Sequence, residues 1–149
     1  MKSMILGAAA LVLSAGAAVA EEWEAVAVSD AAVMAVDWSS MRVTGNIRRI
    51  NTALVTGQSD PGQFDWATSL IDIDCSRPRY QTIRSSFFYI DGSSASEDFV
   101  GDGSWETINS GSLVEDVREQ VCAASTGKQG YFDDAQTFAV NARRVMQEQ

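Results

Sequence analysis

Cys75 and Cys122 are the two thiols of this chain, and the residues around them restrict what chemistry they can do. A redox pair usually sits close in sequence, as in C-x-x-C, and a metal centre needs more ligands than two sulfurs. The chain contains no histidine, the side chain most used for proton transfer and metal ligation near neutral pH. A Ser-His-Asp or Cys-His site therefore cannot be assembled. Beyond residue 20 the one lysine is Lys128, in a glycine-flanked loop, so a Ser-Lys or Schiff-base site would depend on it alone. Asp72 and Asp74 share a strand face about 7 Å apart by strand rise, within the span of inverting glycosidase carboxylates. Two solvated acids on an outer face are the simpler expectation. Asp98, Asp102 and Gly103 lack the spacing and distal glutamate of a calcium loop. The glycine-rich turns are not followed by a helix start carrying lysine. The residues thus predict a non-enzymatic protein with no catalytic, metal or cofactor-binding residues and no cofactor.

The first twenty residues read as a cleavable export signal. Lys2 supplies the positive start, Met4 to Leu13 is apolar, and Ala18-Val19-Ala20 is a small-residue cleavage site before Glu21-Glu22. The apolar run falls short of the roughly 20 residues of a spanning helix, and no second such run follows. With glutamate rather than cysteine at position 21, a lipoprotein is excluded. The mature chain is expected to be soluble, periplasmic or extracellular at the cell surface, without membrane insertion. In that compartment the two cysteines read as one structural disulfide. After removal of Lys2, ten basic residues face twenty acidic ones. Such a chain is repelled by nucleic acid and by anionic head groups, which argues against polyanionic partners.

Short alternating stretches rich in Val, Ile, Thr and aromatics have the period of strands. They run over residues 23–29, 33–37, 45–55, 67–75 and 80–90, with a last short piece at Phe99-Val100. Asp37-Trp38-Ser39-Ser40 reads as a tight bend, and 45–55 as an exposed-edge or one-sided strand. Residues 56–62, with Gly57, Asp60, Pro61 and Gly62, form a loop.

Two helices follow. Ser112-Leu113-Val114-Glu115 fits a capping box, and Val114, Val117 and Val121 continue at helical spacing beside Cys122. Residues 133–149 form a second amphipathic helix with Phe138, Ala139, Ala142, Val145 and Met146 on one side. Its face is alanine-rich, so it is expected to be mobile or engaged with another molecule. Cys75 ends a strand on its buried face and Cys122 ends the first helix on its apolar face. Joining them pins the helix to the sheet, and the loop-entropy model gives about 4 kcal/mol for a loop of this length. The fold class is α+β, a sheet with a tethered helix and an extra helical tail. The organisation is a signal peptide at 1–20, a domain at 21–122, and a linker with its tail at 123–149.

Trp105-Glu106-Thr107-Ile108-Asn109-Ser110-Gly111-Ser112, followed by Val121-Cys122, resembles the closing motif of the surface-adhesin protein E family of small exported bacterial proteins. That motif runs W-x-x-I-x-P-G-S, then a helix and V-C. Trp23, Val36-Asp37, Ser40-Met41, Gly45-Asn46-Ile47, and Asp74-Cys75 with Arg79 agree in order. The likeness covers roughly residues 23–122. Ser110 stands where the family usually has proline, and residues 123–149 lie outside the likeness. Trp105, Ile108, Gly111 and Ser112 are the motif's structural residues. The resemblance implies an antiparallel sheet, a helix held to its concave side by the disulfide, and in some members a homodimer. The named member binds host matrix proteins, but fold does not determine function.

The residues offered for contact with a protein partner are Trp38 and Trp66, in or beside loops, and Arg77 and Arg79, part of a basic concentration with Arg84. From the tail come Phe138, Val145 and Met146. For the tryptophans, packing against the sheet competes with contact; for the arginines, pairing with local acids does. The expected function is an exported binding domain acting by protein–protein contact. The alternative is a periplasmic structural or small-ligand-binding protein with no adhesive role.

Overall fold

The computed structural model describes residues 19–149; most of the leader assigned above lies outside them. Five strands follow one another as an antiparallel meander: β1 (Trp23–Val28), β2 (Ala32–Thr44), β3 (Ile47–Thr56), β4 (Trp66–Asp74) and β5 (Arg79–Phe88). Two short strands, β6 (Phe99–Val100) and β7 (Glu106–Thr107), both pair with β5. Helices α1 (Leu113–Ala123) and α2 (Ala135–Gln147) complete an α+β fold.

Strand parity decides what each face buries. Met34, Val36, Trp38, Ile50, Ile71 and Ile73 pack with Val117 and Val121 of α1. The alternate residues Val33, Ala35, Ala53, Val55 and Trp66 pack on the other face with Phe138 and Ala139 of α2. The sheet is therefore covered on both sides, which corrects the expectation of a loose tail. An alanine-rich helix is weakly apolar in itself, but its small side chains let Phe138 seat among Trp23, Ala35, Ala53 and Val55. The linker is seated as well. Tyr131 N donates to Trp23 O at 2.8 Å, and Glu22 Oε2 accepts from Gly130 N at 2.7 Å. A Cβ at Gly130 would overlap the Glu22 carbonyl, so glycine permits the close approach.

The expected bend at Asp37–Ser40 is a bulge inside one long strand. Pairing passes from Asp37↔Asn51 to Arg42↔Arg49, so four residues of β2 oppose Ile50 alone. Side chains replace the missing ladder bonds. Ser40 Oγ accepts from Asn51 N at 2.8 Å and donates to Asp37 O at 2.7 Å. Strand β3 lies between β2 and β4, buried on both faces, and is not at an edge. Its parity resembled a one-sided strand because polar Asn51 and Thr52 interrupt the apolar run.

The disulfide Cys75–Cys122 forms, with the Cα atoms 5.6 Å apart. Cys75 sits one residue past β4, in the turn to β5. Arg118, one helical turn before Cys122, donates to Asp74 O at 3.1 Å and Cys75 O at 3.0 Å. Helix α1 is thus held to the β4–β5 turn by a covalent and a polar tether. Among the described residues no helix is long and apolar enough to cross a membrane.

Candidate functional site

The motif residues work as a splice between β5, β7 and α1. Ser112 Oγ accepts from Glu115 N at 3.3 Å, capping α1 where the spacing places the cap. Glu115 departs from a simple capping box: its Oε2 accepts from Gly111 N at 2.6 Å, while Ser112 N donates to Asn109 O. Gly111 has φ +79°, a conformation that costs side-chain-bearing residues. Ile108 is buried, and its N–H donates to Pro78 O at 2.8 Å. Trp105 lies 4.5 Å from the Arg79 guanidinium, a cation–π contact.

Asp72 and Asp74 are not solvated acids; both are buried. Strand register puts Asp72 opposite Arg49 on one side and Gln81 on the other. Arg49 forks onto it, Nε to Oδ1 at 2.7 Å and Nη2 to Oδ2 at 2.8 Å, and Gln81 Nε2 adds a bond at 3.0 Å. The Arg49 hydrogen bond is the largest influence on the Asp72 carboxyl. With Gln81 and the Arg49 charge it outweighs burial and holds the acid below the usual carboxylate range. Asp74 accepts from Ser76 Oγ at 2.6 Å, Ser76 N at 2.9 Å and Arg79 Nε at 2.9 Å. Those bonds, that from the Ser76 hydroxyl first, draw it down to about 2. Both carboxylates are ionised, saturated with donors and committed to structure, so neither is free to act as an acid or base.

The proposed contact residues divide. Trp38 and Trp66 are buried. Trp38 Nε1 donates to Glu24 at 2.6 Å with Lys128 above the ring, and Trp66 Nε1 donates to Tyr89 O at 2.9 Å while its ring stacks on Phe88. Phe138 is buried against Phe132. These three are core: Trp38 lies on the sheet face covered by α1, Trp66 on the face covered by α2, and Phe138 on the side of α2 that packs on the sheet. Arg79 is spent on Asp74 and Trp105. Arg77 and Val145 remain exposed and Met146 is half-buried.

A buried cluster under α2 escaped the sequence reading. Arg143 Nη1 stands 2.7 Å from Asp65 Oδ1, a charge contact rather than an aligned hydrogen bond, and its Nη2 donates to Ser59 Oγ at 2.7 Å. Asp65 also accepts from Ser59 Oγ at 2.6 Å and Ile90 N at 2.8 Å. Burial pushes this carboxyl up, but the bond from Ser59, the Arg143 contact and the bond from Ile90 together prevail and hold it low. Residues so far apart in the chain leave no periodic signal.

Three of the surface recesses bear on binding. One of about 360 Å³ lies between α2 and β1–β2, walled by Val28, Val33, Phe138, Ala142, Val145 and Met146. Its rim carries Val28, 67% exposed, and Val145, 48% exposed. A second, about 220 Å³, lies beside α1 over β3–β5, with Leu54, Phe64, Ile71 and Phe87 as apolar walls. Ser69 and Ser85, their hydroxyls 2.7 Å apart, share a rung of the sheet there. The third, about 370 Å³, is lined by Arg42, Thr44, Ile47, Arg49 and Asp72. The chain matches no family model, no curated protein and no solved structure.

Proposed function

We propose that the chain is an exported, non-enzymatic binding domain acting by protein–protein contact in the periplasm or at the cell surface, the role that its likeness to surface-adhesin protein E suggests. The observation that carries this reading is the apolar recess beside β1. Within the sheet that strand pairs with β2 alone; Tyr131 and Phe132 take its outer edge at Trp23, and at its other end Val28, with Val145 beside it, stands exposed. A partner laid along the edge would gain main-chain hydrogen bonds and an apolar pocket together. The disulfide and the two helices supply a rigid platform, which lowers the ordering cost of association.

Affinity capture from intact cells, with the mature chain as bait, tests the reading. It expects a specific protein partner that is lost with Val28→Asp or Val145→Asp. Protease accessibility on intact cells then separates surface from periplasm. A mature chain that captures nothing from either compartment overturns it. The second reading, a periplasmic small-ligand binder, draws on the 220 Å³ recess beside α1, whose lining is uncharged. It predicts a raised melting temperature with small neutral amphiphiles such as phenols, and loss of that rise with Ala67→Phe.

A further inference from the structure

The net charge conceals a basic pole. The tips of the β2–β3 and β4–β5 hairpins lie side by side, joined by Cys75 N donating to Asn46 O at 2.8 Å. Arg42, Arg48, Arg49, Arg77, Arg79 and Arg118 all fall on or against these two tips, six of the ten basic residues beyond the leader. The acids on the α2 face of this end, Asp72 and Asp74, are buried beneath Arg49 and Arg79. Glu106, an exposed acid of the same end, is drawn to the Tyr80 hydroxyl on the other face.

One feature of this pole is costly unless it serves something. Arg42 and Arg49 stand directly opposite each other in register on β2 and β3, and like charges in that position repel; the Asp72 carboxylate under Arg49 offsets one of the two, leaving the Arg42 charge in excess. Both are exposed and line the same 370 Å³ recess. Arg49 uses Nε and Nη2 on Asp72, and Arg42 uses Nη1 on the Ser39 and Met41 carbonyls. Each guanidinium is thereby fixed in place and keeps unused N–H groups. The acids at the opposite end, such as Asp60 beyond β3, lie at least seven residues further along the strand, about 23 Å by strand rise. That is nearly three Debye lengths at physiological ionic strength; the nearer exposed acids, Asp116 and Glu119, lie with Arg118 on α1, on the other face of the sheet, so it is the α2 side of the pole, with Arg42 and Arg49, that attracts anions.

We infer that the Arg42–Arg49 recess, with Arg77 on the neighbouring turn, docks carboxylate side chains of an acidic segment on a protein partner. The site deepens the binding-domain reading and rests on it. A guanidinium fork matches the planar carboxylate in two parallel bonds. The recess has room for one or two such groups.

The test is binding of the mature, disulfide-bonded chain to poly-L-glutamate by titration at low and at physiological salt. Poly-L-glutamine serves as the neutral control and dextran sulfate as the sulfate arm. Arg42→Gln with Arg77→Gln is the informative variant, because neither residue pairs a buried acid and the fold should persist with an unchanged melting temperature. The double variant is expected to bind about tenfold more weakly. Lys128→Gln, which removes one charge from the loop over Trp38, should bind as the parent does. Binding that is absent, unaffected by the double variant, or equally tight to dextran sulfate overturns the carboxylate site. In cell capture, a partner retained by Arg42→Gln/Arg77→Gln refutes this site and leaves the binding-domain reading standing. Capture of nothing refutes that reading, and the titration still reports on the site.

Discussion

Replacing Phe138 by alanine separates a seated α2 from a free tail. Phe138 is 2% exposed, set among Trp23, Val33, Ala53, Val55 and Trp66, with its ring 5.6 Å from that of Phe132. Truncating such a side chain removes its transfer free energy and leaves a cavity the rigid sheet cannot close, about 3–5 kcal/mol. Alanine is the better helix former, so weakened helix propensity cannot account for a loss. For a domain of this size each kcal/mol moves the melting temperature by about 3–5 °C, intermediate between the small and large classes. A drop of about 10–20 °C is expected in thermal unfolding followed by far-ultraviolet circular dichroism with the disulfide intact. Val140→Ala, on the exposed side of the same helix, should stay within about 0.5 kcal/mol. If Phe138→Ala costs no more than Val140→Ala, α2 is not part of the core and the two-faced sheet is refuted.

Arg143→Met should destabilise by about 3–5 kcal/mol in urea unfolding, because Asp65 is left buried and charged, whereas Asp65→Leu with Arg143→Met should recover most of the loss. Equal loss in single and double variants would show that packing, not charge, is at stake. Acid should weaken the fold in a defined window. Asp74 sits at about 2 and Asp65 and Asp72 also lie below their usual values, so between the folded and unfolded values the unfolded chain binds more protons. The stabilisation is full above about pH 4 and is lost as pH falls through about 2. A urea midpoint that stays constant from pH 5 to pH 2 would contradict this, and Asp74→Asn should flatten the slope. At the start of α1, Ser112→Ala should cost about 1 kcal/mol, and Gly111→Val should cost more because of its left-handed backbone. Equal tolerance of both would place the helix start elsewhere.

Local rules made much of this protein legible. Parity assigned Ile71 and Ile73 to a buried face, spacing located the cap at Ser112, and two cysteines behind an expected export signal implied the disulfide that the structure forms. Each depends on neighbours a few residues away or on the redox compartment, and both are written in the chain. What lies beyond a strand's second face is not. Asp72 and Asp74 looked solvated because their acidic character was visible, while Arg49, 23 residues distant, and Arg79 meet them only through sheet register. Trp38 and Trp66 looked like surface aromatics until the bulge and the α2 layer placed them inside. Helix α2 looked too weakly apolar to pack because periodicity weighs hydrophobicity, whereas Ala139 and Phe138 pack by fitting a shaped groove. Composition determined a net charge of −9; only the tertiary structure decided that six of the arginines would gather at one end, because charge adds up along a chain but acts through distance in space.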